Sequence, residues 1–165
     1  MATKTTVAPP HLDVSIEISA TPRVVMDAFF DAASLTHWCG TVRSVTLPRV
    51  LGPYALEWAT ATEHDEVLGR LGGTFRGTVM HFEPTRGFFV ADAFWLPPDS
   101  GPIGPMALEV TCTLCLTSDG QPVTRLRLTQ NGFEESIRWR RYYDIVGAGW
   151  HHALESLKTQ LENTQ

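Results

Sequence analysis

Residues 12–19 read LDVSIEIS, with Leu12, Val14, Ile16 and Ile18 on one face and Asp13, Ser15, Glu17 and Ser19 on the other. A period of two is that of a half-buried strand. Thr21 can cap the helix that follows and Pro22 suits its first turn, while Val25, Met26, Phe29 and Phe30 recur at helical spacing as far as Asp31. A second short helix is predicted over 33–38, ending near Gly40. Strand, turn and strand follow over 42–47, 51–53 and 54–60, and residues 62–73 are polar and then glycine-rich. Longer strand patterns occupy 74–83, 87–95, 106–117 and 123–130. Their separators, residues 84–86, the Pro/Gly-rich 97–105 and 118–121, carry the residues that fix or free backbone angles in turns.

Beyond the last of these strands the period becomes helical. Trp139, Tyr143, Val146, Trp150, Ala153, Leu157 and Leu161 form one stripe, with Arg138, Arg140, Arg141, Asp144, Glu155, Lys158 and Glu162 mostly off it. This predicts a long amphipathic helix, weakened locally by Gly147 and Gly149. The resulting order is strand, two short helices, a run of about six strands and a long helix. An antiparallel sheet with one apolar face needs covering, and the C-terminal helix is the element long enough to do it. A curved sheet gripping a helix encloses space that side chains do not fill everywhere, so a cavity between them is expected.

Composition narrows the possibilities. A chain of 165 residues and 18.3 kDa is the size of one domain. That domain is expected over 12–165, with residues 1–11, which include Pro9 and Pro10, as a frayed tail. The net charge of −5 opposes the counterion-release attraction of general nucleic-acid binders. No run of 18 apolar residues and no secretory h-region occur, so membrane insertion is not expected and a cytoplasmic location is. Cys112 and Cys115, three apart on a strand, face opposite sides and read as small apolar side chains. The clusters His37-x-Cys39, His64-Asp65-Glu66 and His151-His152 lack a ligand spacing, so neither a metal nor a cofactor is expected. Nucleophile-elbow, P-loop and dinucleotide motifs are absent.

The stretch ISATPRVVMDAFFDAASLTHW, residues 18–38, resembles the opening of START-like domains of the SRPBCC superfamily, the helix-grip fold. The resemblance continues through YALEW at 54–58, LGGTFRGTVMHFEPTRGFFVADAFW at 71–95, TRLRLTQNGF at 124–133 and GWHHALESLKTQL at 149–161. Together these segments are similar to the family related to the activator of heat shock protein 90 ATPase. The resemblance implies an α+β helix-grip fold: a curved antiparallel sheet of six or seven strands around a long C-terminal helix. For function it implies a superfamily of lipid carriers, hormone receptors and polyketide cyclases.

Candidate site residues follow from that arrangement. Trp38, Trp58, Phe75, Trp95, Phe133, Trp139, Tyr143 and Trp150 come from different elements that the helix-grip fold brings toward one interior. Such rings can stack on a flat ligand. Gln130 shares the parity of Leu126 and Leu128 and points to the cavity rim, whereas Glu109, opposite in parity to Leu108 and Val110, faces solvent. The parity around His81 is ambiguous: Phe75, Val79 and His81 share one face, Met80 and Phe82 the other. An inward His81 could serve as acid or base, and an outward one is a surface histidine. Arg76 can pair with Glu57 or Asp92. The expected partner is a small apolar or aromatic molecule or a lipid, held in an internal cavity. A cavity-based enzyme of cyclase or dehydratase type and a chaperone-linked interaction module are the alternatives, and a homodimer is compatible with each.

Overall fold

In the computed structural model, which describes residues 11–164, the first alternating segment forms β1 (Leu12–Ile18). The tail expected over 1–11 lies outside the described residues except for His11. Thr21 caps α1 (Pro22–Ala28), its hydroxyl accepting from the Val24 amide at 3.3 Å. The predicted helix as far as Asp31 is interrupted because Asp31 is itself the N-cap of α2 (Ala32–Cys39), accepting from the Ser34 amide at 2.9 Å. Gly40 ends α2 at φ 75°, a left-handed conformation that suits glycine.

The sheet continues with β2 (Arg43–Thr46) and β3 (Pro53–Trp58), followed by a two-residue hairpin of β4 (His64–Asp65) and β5 (Gly69–Arg70). The long strands β6 (Gly73–Glu83), β7 (Gly87–Leu96), β8 (Ile103–Leu116) and β9 (Pro122–Asn131) precede α3 (Ile137–Asn163). The main sheet has seven strands in the order β1-β9-β8-β7-β6-β3-β2, and its pairings are antiparallel. The chain thus passes from β1 at one edge to β2 at the other through α1 and α2. Two predicted boundaries shift. Residues 97–105 are only partly a loop, because Ile103 already pairs with Trp95, and the polar stretch 62–73 contains the small β4–β5 hairpin.

Bulges bend the sheet. The β6–β7 register slips between Arg76 and Thr78 and between Val79 and His81, and the β7–β8 register slips between Val90 and Ala93. Asp92 lies within the latter irregularity at φ 50°. Each extra residue increases local bend and twist, so the sheet curls toward α3. Leu12, Ile18, Leu108, Val110, Leu126 and Leu128 on the concave side are buried, as are Leu154 and Leu157 of α3 and Val25, Met26 and Leu35 of the short helices. Gly147 lets α3 approach β1, since a Cβ there would lie 3.3 Å from Leu12 Cδ1. Among the described residues no helix is long and apolar enough to cross a membrane.

Candidate functional site

The space between helices and sheet is filled on one side and hollow on the other. The filled side packs Phe29 against Trp38 and Phe88 at ring distances of 4.9 and 5.6 Å, and Phe30 against Phe88 at 4.8 Å. Tyr54, fully buried, donates its hydroxyl to the Phe29 carbonyl at 3.1 Å, and burial holds its phenol well above the usual range. The hollow side is a cavity of about 510 Å³, within the size range of small-molecule pockets. Trp58, Phe75, Trp95 and Gln130 line it from the sheet. His37 to Gly40 close it at the C-terminal end of α2, Leu71 and Gly72 follow the small hairpin, and the middle of α3 forms the remaining wall.

The four lining indoles are held by their own N–H groups. Trp38 donates to the Ala28 carbonyl at 3.0 Å, Trp58 to Cys39 at 2.9 Å and Trp95 to Gly72 at 2.8 Å. Trp150 donates to the side-chain oxygen of Gln130 at 3.0 Å. These bonds fix the orientation of the rings around the cavity. Gln130 is completely buried and also donates to the Tyr142 hydroxyl at 3.1 Å and to Met106 Sδ at 3.2 Å. Its strand parity turns it inward, and its three side-chain contacts satisfy it there.

Among the described residues no Asp, Glu, Lys or Arg lines the cavity; the titratable lining groups there are His37, Cys39, Tyr142 and His152, of which the two histidines are exposed at the mouth. Burial pushes the Cys39 thiol up to about 12 and raises the Tyr142 phenol above its ordinary range, opposed there by the Gln130 hydrogen bond. Both groups are therefore neutral at ordinary pH.

Of the sequence-predicted residues, Trp38, Trp58, Phe75, Trp95, Gln130 and Trp150 come together around this cavity. Phe133, Trp139 and Tyr143 do not line it. They form a second layer in which Phe133 meets Trp139 at 6.0 Å and Tyr143 at 5.1 Å and backs Tyr142 at 6.0 Å, while Tyr143 donates to the His11 carbonyl. Their place in the lining passes to Tyr142, whose ring stacks on Trp95 at 5.2 Å. Trp139 is followed at both i+3 and i+4 by a tyrosine, and either fits a helical stripe. His81, for which the alternation left both faces open, does not line the cavity either. The bulge after Val79 turns it outward, where its side chain is 61% exposed and lies 3.3 Å from Glu83. Arg76 does not pair with Glu57, which Arg43 engages through two hydrogen bonds at 2.7 and 3.1 Å.

One flank of the cavity is fastened by ion pairs. Asp65, its side chain 5% exposed, accepts from Arg141 of α3 at 2.7 Å and from the amides of Val67 and Leu68. Arg70 grips Asp99 through both carboxylate oxygens at 2.7 and 2.8 Å, and Arg138 bonds Ser100 at 2.9 Å and the Gly101 carbonyl. The hairpin that leads into Leu71 and Gly72 is thereby tied both to the β7–β8 connection and to α3. The Arg141 hydrogen bond holds the Asp65 carboxyl below the usual aspartate range, and the Arg70 hydrogen bond holds Asp99 far below it.

This architecture is shared by known structures. A protein of Mesorhizobium loti, MLL2253, superposes with a TM-score of 0.65 at 24% identity, over 94% of this chain and 99% of that one. The Aha1 dimer from Colwellia psychrerythraea gives 0.58 at 19% identity over 93% and 96%. DynU16, a protein in the dynemicin biosynthetic locus, gives 0.61 at 18% identity over 94% of this chain and 48% of its own. At such identities the likeness is one of fold. No curated protein matches the chain. The family model described as activator of Hsp90 ATPase homolog 1-like protein matches residues 19–162, so the chain belongs to that family and has its helix-grip fold.

Proposed function

We propose that the protein binds a small hydrophobic or aromatic molecule in the cavity between the sheet and α3. The observation that carries this reading is a hollow of about 510 Å³ lined, among the described residues, by four indoles and no permanently charged side chain. Apolar burial at about 25 cal/mol per Å² would supply the affinity, and the indole faces would favour flat ligands. Thermal unfolding with a panel of uncharged aromatic and aliphatic compounds tests it. Concentration-dependent stabilisation is expected, and it should disappear in Val146→Trp, which fills the cavity from α3. A panel without any stabilising compound, or shifts unchanged in a folded Val146→Trp, would overturn the reading.

The likeness to DynU16, from a biosynthetic locus, favours a second reading in which the same cavity holds a reactive polyketide-like substrate in one conformation. Turnover of such a substrate, lost in Tyr142→Phe, would distinguish catalysis from carriage. The likeness to the Colwellia Aha1 dimer supports a homodimer, which light scattering of the purified protein would detect.

A further inference from the structure

Hydrogen-bond logic at the deep end of the cavity restricts what can lie there. The indole N–H of Trp150 can only donate, so the Gln130 side-chain atom facing it at 3.0 Å must be the amide oxygen. That places the Gln130 amide nitrogen, which can only donate, toward Tyr142 Oη at 3.1 Å and Met106 Sδ at 3.2 Å. The Tyr142 oxygen is therefore an acceptor in this contact and its proton is directed elsewhere. No acceptor for that proton is present among the described residues. Tyr142 is 4% exposed, with its ring fixed between Trp95 on one side and Phe133 behind, so it cannot swing out to solvent.

We infer that this end of the cavity selects ligands bearing an uncharged hydrogen-bond acceptor, a carbonyl oxygen, which takes the Tyr142 hydroxyl proton. The inference rests on the ligand-holding reading and adds the class of ligand. A carbonyl accepts without bringing another proton into a lining whose indole donors are already paired. A hydrocarbon of the same shape displaces any water there and leaves a buried donor unmatched. A carboxylate meets no Lys or Arg among the described lining residues and pays the full cost of losing its hydration.

Three compounds of related shape separate these cases: benzophenone, 1,1-diphenylethene, in which CH₂ replaces the carbonyl oxygen, and diphenylacetate. Titration by tryptophan quenching and calorimetry should give benzophenone roughly tenfold tighter binding than diphenylethene, the scale of one neutral hydrogen bond, with diphenylacetate weakest. In Tyr142→Phe the ratio of the first two should fall to about one. Because that substitution also removes a partner of Gln130, the carbonyl stretch of benzophenone bound to the unaltered protein provides an independent measurement. It should lie below its frequency in an apolar solvent. Equal affinities in the unaltered protein, a preference that survives in Tyr142→Phe, or an unshifted carbonyl band each overturns the inference. Binding of other uncharged compounds without benzophenone overturns it alone, whereas failure of every uncharged compound overturns the ligand-holding reading as well.

Discussion

Trp150 and Gln130 illustrate how much a single buried hydrogen bond constrains the site. Trp150→Phe keeps an aromatic ring but strips the Gln130 oxygen of its donor, and the protein should lose about 1–3 kcal/mol in urea unfolding. The two glycines on α3 should respond differently. A Cβ on Gly149 meets nothing within 4 Å, so Gly149→Ala should stabilise by up to about 1 kcal/mol. At Gly147 the added methyl must displace Leu12, and the same helix gain should be largely cancelled. Cys39, with its thiol pushed up to about 12, should resist iodoacetamide at pH 8 in the folded protein and react once urea exposes it. Alternation and fold resemblance suffice to bring Trp38, Trp58, Phe75, Trp95, Gln130 and Trp150 to the cavity lining, since strand parity fixes a side such as that of Gln130. His81 and Tyr142 could not. A bulge inserts one residue without a distinctive sequence signal and reverses parity beyond it, and adjacent tyrosines satisfy one helical stripe equally well.

The small hairpin and α3 work as a pair. Arg141→Ala should release β4–β5 from the helix, costing about 1 kcal/mol because the arginine is partly solvated. Hydrogen exchange at Val67 and Leu68 should rise with it. The acid dependence has a definite sign. Asp65 and Asp99 titrate lower in the folded than in the unfolded chain, where an aspartate ionises near 3.9. Their contribution is complete above that unfolded value and is lost as pH falls through the depressed folded values. The urea midpoint of Asp65→Asn should therefore lie below that of the unaltered protein at pH 7, and the gap should close under acid conditions. Period and capping residues located β1, both short helices and α3 to within a few residues. The hairpin escaped notice because two-residue strands carry no period, and what holds it is the distant Arg141.

Across the whole molecule, aromatic residues have two uses. Phe29, Phe30, Tyr54 and Phe88 interlock into solid packing, while four of the five tryptophans frame a void. Composition cannot separate these uses, since both need large apolar rings; the division depends on which elements bring each ring to the packed side or to the hollow side. At a free concentration 100-fold above its dissociation constant, a ligand should add about 2.7 kcal/mol and raise the melting temperature by roughly 5–10 °C for a chain of this length, as differential scanning calorimetry would show. The timing of that stabilisation follows from the pairing of Leu12 with Gln130. The residue at the heart of the pocket sits on a strand that is flanked on both sides only when the longest-range strand pairing of the sheet is made, a slow event for such a topology. No receptor site exists before that closure, so a bound guest cannot hasten assembly. Its effect must fall on the return journey, lengthening the lifetime of the finished protein.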